Sequence, residues 1–149
     1  MNQLGTQDRL HIASSDPKCL LCNTQLETHR HLFFECIVSK HIWASVPRKC
    51  YTTYSNKNWE EYIAWLSGQW KGKSLMVTIK KLCLAATMYT IWAERNSRYH
   101  NNSFRDNNNI IASILELVRL KLSTLSNVID STSNRVIQLD WGLPTTIFS

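Results

Sequence analysis

The chain has 149 residues, enough for one core-forming domain, and its 44% hydrophobic and 19% charged residues are ordinary for a globular protein. A formal net charge of +6 with a pI near 9.2 permits attraction to RNA, DNA or another polyanion without requiring it. No run of about 18 apolar residues is present, and the Met1–Gly5 start lacks the basic and apolar regions of a secretory signal. The expectation is therefore an intracellular protein, nuclear or cytoplasmic, with no membrane partner.

In chain order, Thr6 caps a short helix that Ser14-Ser15-Asp16-Pro17 ends. A tight turn over Cys19–Cys22 follows, then a polar loop over Asn23–Arg30 that forms a small hairpin or irregular finger. His31 to about Val46 reads as one helix, with Phe34, Ile37, Val38, Ile42 and Trp43 apolar and Pro47 as its stop. Arg48–Lys57 is a polar linker. Asn58 caps a short helix carrying Tyr62, Ile63, Trp65 and Leu66, closed by Gly68.

From Leu75 to about Arg98 the spacing Leu75, Ile79, Leu82, Ala86, Tyr89, Ala93 is helical; the run from Leu82 to Ala93 is too short to span a bilayer and reads as a buried helix. Asn101–Asn109, with five asparagines, is a loop. A second long helix follows with Ile111, Ile114, Leu115, Val118, Leu122 and Leu125 on its apolar stripe. Val136, Ile137, Leu139 and Trp141 before Gly142-Leu143-Pro144 suggest a short extended piece. The fold class is mainly α: a small N-terminal finger-like element over residues 4–46, then a helical region over residues 58–144.

Chemistry is concentrated near the N-terminus, where Cys19, Cys22, His31 and Cys36 form a C-x2-C-x8-H-x4-C run. Two cysteines two residues apart reach one ion from a turn, and the expectation is that one helical turn plus a residue brings His31 and Cys36 toward a common face. Three thiolates and an imidazole suit tetrahedral Zn2+ in a closed, structural site. His29, with a middle spacing of six, and His41, beyond Cys36, are the alternatives for the third ligand. A metal-free core of small apolar cysteines and a Cys19–Cys22 redox pair are the competing readings; the second lacks a βαβ setting. Five cysteines, three of them in this run, argue against a disulfide framework.

Basic residues cluster at Arg48-Lys49, from Lys71 to Lys81 and at Arg95 with Arg98; a solvated helix face is the default reading for each. Lys18, Arg30, Lys40, Arg48 and Lys49 are the candidates to approach phosphates. Phe33 or Trp43 could stack on a base, as aromatics of single-strand binders do, but their clusters Leu32-Phe33-Phe34 and Ile42-Trp43 favour burial. No Tyr-x-Asp-Asp, P-loop, HExxH or nucleophile-elbow pattern occurs, and the acids are scattered singly apart from Glu60-Glu61. The expected class is therefore not an enzyme.

The segments Thr6-Gln7-Asp8-Arg9-Leu10, Cys19-Leu20-Leu21-Cys22, Glu27-Thr28-His29-Arg30-His31-Leu32-Phe33-Phe34-Glu35-Cys36 and Ile42-Trp43 together resemble the zinc-binding domain of plant non-LTR (LINE-type) retrotransposon reverse transcriptases. The resemblance implies a metal-binding, nucleic-acid-binding module, and it favours His31, since the family's His precedes Leu-Phe and the last Cys. Ile91-Trp92-Ala93-Glu94-Arg95-Asn96-Ser97-Arg98 resembles a segment that follows in those sequences, where an aromatic often stands at the place of His100. The rival readings are a zinc-stapled structural or protein-interaction module, with its partner or self-association unknown, and a retrotransposon relic without selected function.

Overall fold

A computed structural model describes residues 18–49, Glu60, Gly68 and residues 71–149. The expected helix after Thr6, and that from Asn58 to Gly68 apart from its helical Glu60 and Gly68, lie outside the described residues. The fold is mainly α, as expected. A one-turn π-helix, His31–Glu35, precedes α1 (Ile37–Lys49), α2 (Leu75–Asn101), α3 (Asn107–Leu122) and α4 (Thr132–Trp141), and a 3-10 turn spans Thr145–Phe148. Among the described residues the sole β pairing is an antiparallel bridge between Lys18 and Leu26, which closes the finger.

Each of α2, α3 and α4 begins at a side chain that satisfies a free backbone N–H. Ser74 accepts from Val77 N, Asp106 from Asn109 N and Ser131 from Asn134 N. Asn102 ends α2 in the left-handed conformation at φ 48°, and Gly142 ends α4 at φ 60°. At Gly142 the Leu143 N–H reaches back to Gln138 O at 2.9 Å, closing the helix in the manner that favours glycine there.

Helices α1, α2 and α3 pack against one another in all three pairings, and the π-turn lies against α1 and α2. Their shared core holds Leu32, Phe33, Ile42, Trp43, Ile79, Ile91, Ile110, Ile114, Val118 and Leu122. Phe33 and Trp43 are 3% and 2% exposed, so neither is available as a base-stacking platform. On α2 the core face is Leu75, Ile79, Cys83, Thr87, Thr90, Ile91, Glu94 and Arg95, rotated from the expected stripe; Tyr89 is 65% exposed. On α3 the fully buried row is Ile110, Ile114, Val118 and Leu122, while Ile111 and Leu115 sit at its margin.

Four local expectations are corrected. The helix expected from His31 is broken at Cys36 (ψ 132°), and α1 runs past Pro47 to Lys49. Proline lacks an N–H and disfavours the helix through it, yet buried Ile42, Trp43 and Val46 hold α1, and Lys49 Nζ fastens its end to Asp140 O at 2.8 Å. Asn107–Asn109 form the first turn of α3, not loop. The tail is helical: Ile137 and Trp141, four apart, face the core, whereas Leu139 between them is 75% exposed. Residues 137, 139 and 141 alternate, which mimicked a strand.

By length and composition α2 is long and apolar enough to cross a membrane, with mean hydropathy 1.2 over 18 residues, which the sequence reading did not expect. It packs against α1 and α3 and buries Glu94 and Arg95 in ion pairs, the behaviour of a core helix.

Candidate metal centre

The ligand atoms of Cys19, Cys22, His31 and Cys36 all lie within 4.8 Å of one another. Cys19 and Cys22 come from a turn in which Asn23 (φ 56°) bonds through its N–H to Cys19 O at 2.7 Å. His31 and Cys36 come from the π-turn. In an α-helix residues five apart stand about 140° apart around the axis, so the simple helix expected from sequence would have separated them. The wider turn, closed by Cys36 N–H donating to His31 O at 2.7 Å, brings them together.

That turn frees carbonyls that must find other donors in the core. Ser39 Oγ donates to Leu32 O at 2.5 Å and Trp43 Nε1 to Phe33 O at 2.7 Å, both buried. The backbone shape that places the fourth ligand is thus held by two side chains of α1.

The spacings suit a tetrahedral ion. With Zn–S near 2.3 Å and Zn–N near 2.0 Å, tetrahedral geometry asks for about 3.8 Å between sulfurs and about 3.5 Å between sulfur and nitrogen. Cys19 Sγ to Cys36 Sγ is 3.9 Å and Cys22 Sγ to His31 Nε2 is 3.3 Å. Cys19, His31 and Cys36 are buried and Cys22 is half-buried, with Thr24 Oγ1 donating to Cys22 Sγ at 3.1 Å. The Cys36 thiol is lowered to about 5, foremost because the Cys19 thiol donates to it. Cys19 is raised by that same hydrogen bond and by burial. A cation bound by the three sulfurs as thiolates would displace the protons that the thiols still carry.

Around the donors lies a charged shell that sequence reasoning missed. Glu27, 0% exposed, accepts from Leu20 N at 3.1 Å and from Arg95 Nε and Nη2 at 3.0 and 2.8 Å. Arg98 Nη1 donates to Leu20 O at 3.1 Å and Leu21 O at 2.9 Å, while its Nε donates to Glu94 Oε1 at 2.9 Å. Glu94 also accepts from the Arg105 N–H and side chain at 3.0 and 2.7 Å. Burial pushes Glu94 up, but Arg105 and Arg98 outweigh it and hold the carboxyl below its usual range. Arg95 and Arg98 were read as a solvated basic cluster; both are engaged in the interior instead. The only hint in the sequence was the acid Glu94 four residues before Arg98.

Of the basic candidates, Lys18, Lys40 and Arg48 are exposed. Arg30 is exposed and pairs with Glu35 at 2.6 Å, and Lys49 is occupied by Asp140 at the foot of α4. His29 and His41 are outside the donor group.

The class of molecule defined so far is a mainly helical protein with a Cys3His centre able to hold a metal ion. Residues 1–43 match the family model described as zinc-binding in reverse transcriptase, a span that contains all four donors. No curated protein and no solved structure gives a match.

Proposed function

We propose that Cys19, Cys22, His31 and Cys36 hold one Zn2+ as a closed structural site, in a non-catalytic module that binds RNA or DNA. The carrying observation is the convergence of four soft or borderline donors, from two separate turns, to within 4.8 Å of one another. Full coordination by protein leaves no open position for substrate. The matched family supports zinc over other ions. Descent from a plant LINE-type retrotransposon, an intracellular setting and the absence of a membrane role belong to the same proposal.

Nucleic-acid binding is supported by the net charge and by the outward face of α1, where Lys40, His41 and Arg48 are exposed. Native mass spectrometry on protein purified without chelator tests the metal: one zinc per chain is expected, and a folded chain without zinc would overturn the reading. Salt-titrated binding to single- and double-stranded RNA and DNA tests the partner. Affinity should fall steeply with salt, and Lys40→Ala should reduce the logarithmic slope by about one. A protein-interaction role has one observation in its favour: Leu117 and Leu120 on α3 are 42% and 51% exposed. Self-association without salt dependence would favour it.

A further inference from the structure

The Cys19–Cys22 knuckle is tied to α2 through backbone groups of the two residues between the ligands, directly by Arg98 and by way of Glu27 from Arg95. Leu20 N is taken by Glu27, and Leu20 O and Leu21 O by Arg98. Glu27 is itself held by Arg95 from both Nε and Nη2, with side chains 0% and 1% exposed, and Arg95 also lies 5.4 Å over the Trp92 ring. Three backbone groups of a two-residue bridge are thus held from a helix about 70 residues further on, more than closing a turn requires.

Charge points the same way. A dication with three thiolates and a neutral imidazole carries one negative charge. In the adjoining shell Arg95, Arg98 and Arg105 face Glu27 and Glu94, leaving one positive charge beside the knuckle. Buried charge of one sign is stabilised by the other in a low-dielectric setting.

Resting on the zinc reading above, we propose that Glu27, Arg95 and Arg98 are positioning residues of the metal centre, linking ion occupancy to the seating of α2. The linkage is reciprocal: if the ion tightens the seat of α2, then α2 tightens the ion by the same factor. Residues outside the ligand set that orient a site commonly change metal affinity 10–100-fold.

The test uses the full chain, loaded with zinc or stripped by chelator, in wild type, Arg98→Lys, Glu27→Gln and the remote control Arg119→Ala, whose partner Glu116 is exposed. Zinc affinity is read by competition with a chromophoric chelator, and site geometry by the visible absorption of the cobalt(II)-substituted protein. Both network variants should bind zinc about 10–100-fold more weakly and shift the cobalt bands; Arg119→Ala should do neither. Stripping zinc from wild type should speed amide exchange at residues 91–98. Arg98→Lys keeps the charge but cannot bridge two carbonyls and a carboxylate, so it remains usable if larger truncations fail to fold. Wild-type affinity and cobalt spectrum in both variants, with equal destabilisation loaded and stripped, would make the network a packing device and overturn the inference. A wild type that binds no zinc would overturn the functional reading itself, a result distinct from the first.

Discussion

Two short segments flank the three-helix core and are fastened to it by opposite means. Residues 18–30 bury little apolar surface beyond Cys19 and Leu21, and Leu26 is 55% exposed. They are tied by donors and charge: the Cys3His group, Glu27 with Arg95, and Arg98 on two carbonyls. The C-terminal segment is tied by Ile137, Trp141, Leu143 and Ile147, all at most 5% exposed, with Val128 N–H bonded to Ile147 O at 2.9 Å as a seam. A segment short of apolar residues depends on directional bonds and clustered donors, whereas one with them at helical spacing rests chiefly on burial.

The sharpest way to break this contrast is Cys36→Ser. Zinc binding should be lost, and amides of residues 18–36 should exchange as in an unfolded segment while those of α4 stay protected, as hydrogen exchange would read. Equal opening at both ends would mean the segments are not separately fastened. Ile147→Ala should act in reverse, lowering global stability by about 2–5 kcal/mol in denaturant titrations while zinc affinity holds.

Acid offers a third probe. The Glu94 carboxyl is held below the usual carboxylate range, so its stabilisation is complete above that range and fades as pH falls through its folded value. In excess chelator, Glu94→Gln should cost about 1–3 kcal/mol near neutrality and flatten the acid limb of the stability curve. An unchanged limb would remove Glu94 as its source. Smallest is His29→Ala, expected to leave zinc stoichiometry and affinity intact while His31→Ala weakens binding; the opposite result would reassign the third ligand.

Much was legible because it is local. The C-x2-C-x8-H-x4-C spacing marks the four donors by residue type, although the turn that brings His31 to Cys36 is not itself legible in it. Helical period marked α2 and α3, and on α3 it found Ile114, Val118 and Leu122 of the buried row; on α2 it erred on which face is buried, because Thr87, Thr90, Glu94 and Arg95 carry no apolar signal. The π-turn at His31–Glu35 was not legible: its stability depends on Ser39 and Trp43 reaching back to Leu32 and Phe33.

What the chain by itself determined is the donor set, the helical class and the burial of Phe33 and Trp43, all properties of residue type at short spacing. Tertiary structure alone decided that Arg95 and Arg98 are interior groups holding the knuckle. Their partners, Glu27 and the Leu20 and Leu21 carbonyls, lie 68 to 78 residues away. A charge pattern read along the chain cannot see a partner brought near only when α2 packs beneath the finger, and without that partner a buried guanidinium would be too costly to predict.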